Sequence, residues 1–170
     1  MREVLKMEEK KTLLTYKGLK EYQDELDNLK SVRRAEVAQK IKEAREQGDL
    51  SENAEYDAAK DEQRDIEARI EEIEALLKNV EVVTDDDVDS DKVSVGSKVK
   101  VRDMEDNEDM VLTIVGTAQA DSLENKISNE SPLGMALIGN KKNKVVEVDS
   151  PVGVLKYKIL SIEKADEFSE

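Results

Sequence analysis

The run AKDEQRDIEARIEEIEALLKNV, residues 59–80, decides how the first half of the chain folds. Its apolar positions are separated by alternating steps of four and three residues, and one polar residue, Gln63, occupies one of them. Apolar residues at this spacing line one side of a helix, and a regular heptad series is typical of a coiled coil. The run therefore predicts a long amphipathic helix that packs against another helix. The seam positions are Ala59, Gln63, Ile66, Ile70, Ile73, Leu77 and Val80.

A second helical run lies upstream. Thr15 is a suitable N-cap for a helix that begins at Tyr16, and Gly48 is a suitable residue to follow the helix end. The two runs have similar lengths and a short connection. We therefore predict an antiparallel coiled-coil hairpin over residues 15–83, with its tip at residues 48–53. The apolar series of the first run shifts in phase before it resumes; its members are Leu19, Tyr22, Leu26, Leu29, Val32, Val37, Ile41 and Ala44.

The segments before and after the two helical runs lack the helical pattern of apolar residues. Residues 1–14 are predicted to form a flexible N-terminal tail. Residues 84–95, TDDDVDSDKVSV, are rich in aspartates that repel one another and are well solvated, which favours an acidic linker. The alternative is an exposed acidic loop that belongs to one domain.

Beyond the acidic run the apolar pattern changes to a period of two residues, which is typical of strands. The predicted strands cover residues 98–104, 110–116, 145–149 and 154–162, and residues 150–153 form a turn between the last two. Residues 123–128 and 135–138 are predicted to be helical or irregular. The fold class is therefore α+β: an N-terminal helical hairpin followed by a small α+β domain over residues 96–170.

The composition narrows the possible chemistry. The chain has 170 residues, no cysteine and no histidine, so thiol nucleophiles, thiolate metal sites and histidine bases are excluded. Its net charge of −14 argues against unspecific binding to nucleic acid or anionic membranes, since both need a basic surface. No apolar run approaches the length of a membrane span, and the charged N-terminus does not resemble a secretory signal. A protein of the cytoplasm is expected.

The connection Gly48-Asp49-Leu50-Ser51-Glu52-Asn53 allows two interpretations. Asp49 and Glu52 are spaced as a capping box, in which both acids stabilise the start of the second helix. The same spacing also brings two carboxylates to one side, where they could share a divalent cation. Mg²⁺ accepts one or two protein carboxylates, so such a site is weak unless another molecule completes it.

The tip and its flanks read AREQGDLSENAEYDAAKDEQ over residues 44–63. Shorter stretches at residues 14–19 and 31–34 accompany it, and six more follow in order at residues 95–97, 114–116, 120–121, 127–128, 131–134 and 137–139. Together they resemble the bacterial Gre transcript cleavage factors, over nearly the whole chain. The resemblance implies an FKBP-like fold for the second domain.

The resemblance also implies a function. Gre factors bind bacterial RNA polymerase, insert the coiled coil into its secondary channel and stimulate cleavage of backtracked RNA by the polymerase. The tip acids that help this reaction correspond to Asp49 and Glu52, which would hold Mg²⁺ only in the polymerase complex. The expected partners are the polymerase and the 3′ end of the backtracked RNA, the expected state is a monomer, and no cofactor or enzyme activity of its own is expected.

Further positions match the family by their place in its motifs. The residues that support the tip are Gly48, Leu50, Ser51, Asn53, Glu55 and Tyr56. Arg45 and Lys60 correspond to basic residues that contact the RNA, and their small number resembles the branch that rescues short backtracks. The residues used against polymerase are Asp121, Ser131, Pro132, Leu133 and Gly134. Each has an ordinary alternative: a packed hairpin end, a solvated charged face, or a structural turn.

Two other functions fit the same outline. A channel-binding inhibitor would use the hairpin to block the polymerase, and the intact Asp49 and Glu52 argue against it. A coiled-coil adaptor would use both acids only as a capping box.

Overall fold

The computed structural model describes residues 10–48 and 53–168, without the side chain of residue 167. The predictions for residues 1–9 and for the tip segment, residues 49–52, lie outside the described residues. The chain divides into two compact units. One is the hairpin unit, Lys20–Asn79, and the other, the sheet unit, comprises Met1–Leu19 with Val80–Glu170.

The hairpin unit has two helical arms. The first arm consists of α1 (Tyr16–Asn28), a π-helical turn (Leu29–Arg33) and α2 (Arg34–Glu46), and the second is α3 (Ala54–Leu77). Ion pairs join Glu25 to Arg69 and Arg34 to Glu67, so residue numbers rise along one arm as they fall along the other. The predicted antiparallel hairpin is therefore confirmed.

The π-helical turn explains the phase shift in the first arm. The backbone N–H of Arg34 bonds the carbonyl of Leu29, five residues back instead of four. Such a turn inserts one extra residue into the helix, so the apolar stripe rotates. Val32 is exposed in this turn, whereas Val37 is buried just beyond it. The π-helical turn thus brings the apolar residues that follow it back to the side of the arm that packs against α3.

The seam has the expected core. Val37 and Ile41 of α2 pack in one cluster with Ala59, Ile66 and Ile70 of α3. The last predicted seam position is wrong, because α3 ends at Leu77 and Val80 begins strand β2 (Val80–Val83). The β-branched stretch VEVV favours an extended strand.

Strand β1 (Thr12–Thr15) pairs in parallel with β2, with Thr12 opposite Val80 and Thr15 opposite Val83. The predicted tail is therefore wrong for residues 12–14. Leu14 has no exposed surface. The side-chain carbonyl of Gln119 accepts a hydrogen bond from the Thr15 backbone N–H (2.8 Å), and the amide of Gln119 donates to the Thr15 hydroxyl (2.9 Å). The Thr15 hydroxyl also caps α1 by accepting from the Gly18 N–H, as predicted.

We expect Leu14→Ala to reduce the free energy of unfolding by about 2–5 kcal/mol, the usual cost of truncating a fully buried leucine. Urea unfolding of the full chain measures this change. Leu123→Ala is the matched control, because Leu123 is 94% exposed and its truncation leaves no cavity. Equal, small effects of the two substitutions would show that residue 14 belongs to a loose tail.

The sheet unit contains a five-stranded sheet in the order β5-β4-β3-β7-β6. Strand β4 pairs antiparallel with β3, β3 with β7 and β7 with β6, whereas β5 pairs in parallel with β4. The strands are β3 (Ser97–Asp103), β4 (Asp109–Val115), β5 (Lys126–Ser128), β6 (Val145–Ser150) and β7 (Gly153–Lys164), and a short helix, α4 (Pro132–Leu137), follows β5. All four predicted strands are present, but residues 126–128, predicted to be helical or irregular, form the additional strand β5.

Alternation along the strands builds one core. Val99, Val101, Ile114 and Ile159 have no exposed surface and lie in one cluster with Leu137 of α4. The intervening residues on β3 are Lys98, Lys100 and Arg102, which accounts for the period of two in the sequence. The α+β fold class, a helical hairpin with a small sheet domain, is confirmed, and the FKBP-like assignment of that domain stays a prediction.

The acidic run is not a free linker. Val88 and Val93 are 6% and 1% exposed, and Val93 belongs to the core of the sheet unit. The backbone N–H of Val93 bonds Asn140, and the carbonyl of Val93 accepts from Gly139. The predicted linker over residues 84–95 is therefore wrong, and the alternative of an acidic segment within one domain fits. The aspartates lie at the surface while the valines anchor the segment.

None of the helices in the described part of the chain is long and apolar enough to cross a membrane.

Candidate functional site

The first arm ends as the sequence predicts. Helix α2 ends at Glu46, with Gln47 as its C-cap. Gly48 has a φ of +114°, and nothing lies within 4 Å of where a Cβ would stand. A residue with a side chain is strained at this angle whatever the space, so glycine lets the chain turn out of the helix.

The second arm begins with a different cap from the predicted one. Helix α3 starts at Ala54, and Asn53 is its N-cap; the side-chain carbonyl of Asn53 accepts from the N–H groups of Glu55 and Tyr56, both at 3.1 Å. Asn53, and not Asp49, is therefore the N-cap of α3. The capping-box prediction itself falls on Asp49 and Glu52, which lie outside the described residues. Both acids precede the helix in sequence.

Asn53 also contacts the other arm. Its side-chain N–H donates to the carbonyl of Ala44, in the last turn of α2, at 2.7 Å. Tyr56 forms a second contact across the arms, with the Arg45 guanidinium 5.9 Å from its ring centroid. These two contacts join the last turn of α2 to the start of α3 and so close this end of the hairpin. Asp49, Leu50, Ser51 and Glu52 themselves lie outside the described residues.

Of the other residues predicted at the tip, Glu55 and Lys60 lie on the first two turns of α3, and Arg45 lies in the last turn of α2. Glu55 is exposed and its carboxylate favours the positive end of the helix. Lys60 donates a hydrogen bond to Gln63 at 3.0 Å. Arg45 is exposed, and its guanidinium group lies over the ring of Tyr56. Arg45 and Lys60 are thus cations on opposite arms. Arg45 lies next to the end of α2, and Lys60 lies four residues after Tyr56.

Ion pairs between the arms are a feature that sequence analysis missed. Arg34 binds Glu67 with two parallel hydrogen bonds of 2.7 and 2.8 Å. Glu62 accepts from Lys40 and from Arg33, both at 2.7 Å. These hydrogen bonds lower the pKa of both glutamates and raise the pKa of Arg34. The family's basic step at residues 31–34 therefore holds the arms together, and only a known register between the arms could have revealed it.

The lowered pKa of Glu67 predicts a dependence of stability on pH. A carboxylate with a lowered folded pKa stabilises the fold above its unfolded pKa, about 4.3 for glutamate, and this contribution is lost as pH falls through the folded value. We expect wild type to exceed Glu67→Gln in urea midpoint at pH 7, the difference to shrink as pH falls below about 4.3, and to vanish once Glu67 is protonated in the folded protein. Comparing the two proteins removes the effect of the other acids. A difference that is constant from pH 7 to pH 3 would contradict the role of the ion pair.

The predicted polymerase-binding residues divide into two groups. Ser131 caps α4 by accepting from the Gly134 N–H at 3.1 Å, and its hydroxyl donates to the Ser128 carbonyl at 2.7 Å. Gly134 is buried against that carbonyl, and Leu133 packs on the core. Asp121 and Pro132 are exposed. Only the latter two present an open surface, and the other three build the turn.

Two exposed apolar side chains lie close to these residues in sequence and were missed. Leu123 is 94% exposed and Met135 is 62% exposed. The Asp121 carboxylate accepts from the Leu123 N–H at 2.9 Å, which fixes the turn (Ser122–Glu124) that presents this leucine. An isolated leucine in a polar stretch is a weak signal, so the sequence did not mark it.

Within the described ranges, no group of three or more acids is arranged to hold a metal ion. The donor set proposed for Mg²⁺ rests on Asp49 and Glu52, whose carboxylate oxygens are the hard ligands that this ion prefers.

The comparisons with known proteins agree with these features. Residues 12–82 match the model of the family "Transcription elongation factor, N-terminal", and residues 88–164 match "Transcription elongation factor, GreA/GreB, C-term". The transcription elongation factor GreA of Lachnoclostridium phytofermentans is 61% identical over 160 residues, which cover 94% of this chain and 100% of the relative. GreA of Thermoanaerobacter pseudethanolicus is 56% identical over 155 residues, or 91% and 99% of the two chains. The crystal structure of GreA factor homolog 1 from Thermus thermophilus has a TM-score of 0.42 at 28% identity, over 91% of this chain and 99% of that one.

A helical hairpin and a sheet domain, matched in order by two family models, define the class of a transcription elongation factor. The chain belongs to the GreA/GreB family of transcription elongation factors, which act on RNA polymerase.

Proposed function

We propose that this protein stimulates the cleavage of backtracked RNA by RNA polymerase, by supplying Asp49 and Glu52 to the polymerase's active centre. The hairpin enters the secondary channel, and the sheet unit binds the polymerase surface through Asp121 and Pro132. The observation that carries the proposal is the closed hairpin end, because it holds both flanks of a segment with only four residues. This segment carries Asp49 and Glu52, the two carboxylates that the proposal uses.

The chemistry is hydrolysis of one phosphodiester bond. The oxygen of a water molecule bonds to phosphorus, the bond from phosphorus to the 3′ oxygen of the retained RNA breaks, and that oxygen takes a proton. When bound, a second Mg²⁺ supplies charge stabilisation for the attacking and leaving oxygens. Asp49 is proposed to hold this ion, and Glu52 to ligate it through water or to orient the attacking water. Arg45 and Lys60 bind phosphates of the extruded RNA without reading its sequence.

The protein has no enzyme activity alone, since the polymerase supplies the RNA, the first metal and most of the site. It has no cofactor of its own, acts as a monomer, and works in the cytoplasm where bacterial RNA polymerase is located.

The test uses purified bacterial RNA polymerase, backtracked on a template, with Mg²⁺ and this protein. We expect RNA fragments of a few nucleotides from the 3′ end and renewed elongation. The protein without polymerase should leave the same RNA intact. Slower elongation without fragments would indicate a channel-blocking inhibitor, and binding without either effect would indicate an adaptor.

A further inference from the structure

The end of the hairpin depends on one side chain. Helices leave unpaired N–H groups at their start and unpaired carbonyls at their end. Asn53 serves both kinds at once: its Oδ1 accepts from two N–H groups of α3, and its Nδ2 donates to the Ala44 carbonyl of α2. The donor contact, at 2.7 Å, is also the shortest of the three. Asn53 is therefore both a helix cap and a link between the arms.

This double role selects an amide. Asparagine combines a carbonyl acceptor with an N–H₂ donor, whereas aspartate is only an acceptor when ionised. Serine is also a good N-cap, but its side chain is too short to reach a second helix as well. A cap alone would accept Asp, Ser or Asn about equally. The contact with Ala44 is the part that only asparagine supplies here.

We propose that Asn53 is a positioning residue for Asp49 and Glu52, an inference that rests on the proposed function. The link fixes Ala44 to Asn53, so the chain that carries both acids starts and ends at fixed points. The Arg45–Tyr56 contact holds the adjacent residues across the same end. Loss of the link leaves both acids in the chain but removes the hydrogen bond that joins the two sides of the segment that carries them. Catalysis is sensitive to such displacement, because small errors in geometry reduce the rate strongly.

The test compares three substitutions in the full protein. Asn53→Asp and Asn53→Ser both keep a capping acceptor and lose the donor to Ala44, whereas Asn53→Ala loses both. We expect Asp and Ser to reduce the maximal cleavage rate about tenfold, as is usual for residues that orient a metal ligand, with a raised Mg²⁺ requirement. Their melting temperature and polymerase affinity should stay close to wild type. Serine controls for the extra charge that aspartate brings to the tip.

A merely structural role predicts a different order. Cleavage would then follow stability, with Ala damaging both and with Asp and Ser close to wild type. Normal cleavage by Asn53→Asp and Asn53→Ser, or loss of cleavage only in proportion to loss of stability, would overturn the inference.

A double substitution separates this inference from the proposed function. If Asn53 acts through the tip acids, Asn53→Ser should have no further effect in an Asp49→Asn background, whereas independent effects would multiply. Multiplied effects would overturn the positioning role. Normal cleavage by Asp49→Asn alone would instead overturn the proposed function, whatever Asn53 does.

Discussion

Asp49→Asn is expected to reduce transcript cleavage about a hundredfold or more while the protein still binds polymerase. Asparagine has the shape of aspartate but lacks the charge that binds Mg²⁺ well. Metal ions supply several kcal/mol of charge stabilisation in such reactions, and about 1.4 kcal/mol corresponds to a tenfold change in rate. The measurement is the rate of fragment release from a backtracked complex at saturating protein.

The identity of the helix cap lets this experiment separate an effect on cleavage from an effect on stability. Asn53, and not Asp49, caps α3, so the melting temperature should not change with Asp49→Asn. Asp57→Asn is the matched control, since Asp57 is an exposed acid in the first turn of α3. It removes the same charge from the same end of the hairpin and should cleave normally. Normal cleavage by Asp49→Asn, or equal loss in both variants, would contradict a specific role for Asp49.

The same assay distinguishes the roles of the two acids. If Asp49 binds the ion directly, excess Mg²⁺ should restore part of the activity of Asp49→Asn. If Glu52 orients the attacking water, Glu52→Gln should reduce the rate at every Mg²⁺ concentration. The opposite pattern would exchange the two roles.

Local periodicity was sufficient to predict the hairpin and the four longer strands, because the spacing of apolar residues within each segment indicates its secondary structure. The seam positions Ile66 and Ile70 are buried where the heptads place them. Strands β1 and β2 were missed for a physical reason. Each has only four residues, and the partner of Thr12 is Val80, far along the chain. No local pattern records such a pairing.

The acidic segment was misjudged because composition and packing point in different directions. Its aspartates favour solvent, but Val88 lies among them and Val93 just after them, and both valines are buried. Two well-placed valines anchor a segment that its average composition describes as a linker. Whether such isolated valines are buried depends on the residues that they pack against. The local sequence does not show which residues these are.

The sequence motif was sufficient to propose the candidate site. It was not sufficient to predict which residue caps the helix beside that site. Aspartate and asparagine are about equally good helix caps, so the sequence alone could not choose between Asp49 and Asn53. A contact with the end of α2 favours Asn53, because its side chain also donates a hydrogen bond to the Ala44 carbonyl. In the same way, Ser131 and Gly134 match a polymerase-binding motif although their contacts are within the fold.

Gly134→Ala is expected to reduce the free energy of unfolding by about 3 kcal/mol, toward the upper end of the usual cost of adding a methyl group to a packed core. Gly134 is buried, and a Cβ there would overlap the Ser128 carbonyl oxygen, which is backbone and cannot rotate away. That carbonyl also accepts from the Ser131 hydroxyl that caps α4. The added methyl group must therefore displace the cap, the helix or β5. Urea unfolding of the full chain measures the change.

The control for this substitution is Met135→Ala in the same helix. Met135 is 62% exposed, so its truncation should change the free energy of unfolding by less than about 0.5 kcal/mol. The two variants also separate folding from binding. If Gly134 serves the fold, Gly134→Ala should bind polymerase with nearly wild-type affinity at low temperature, where most molecules stay folded. A variant that is as stable as wild type but fails to bind would instead make Gly134 a polymerase contact, and Pro132→Ala should then show the same loss.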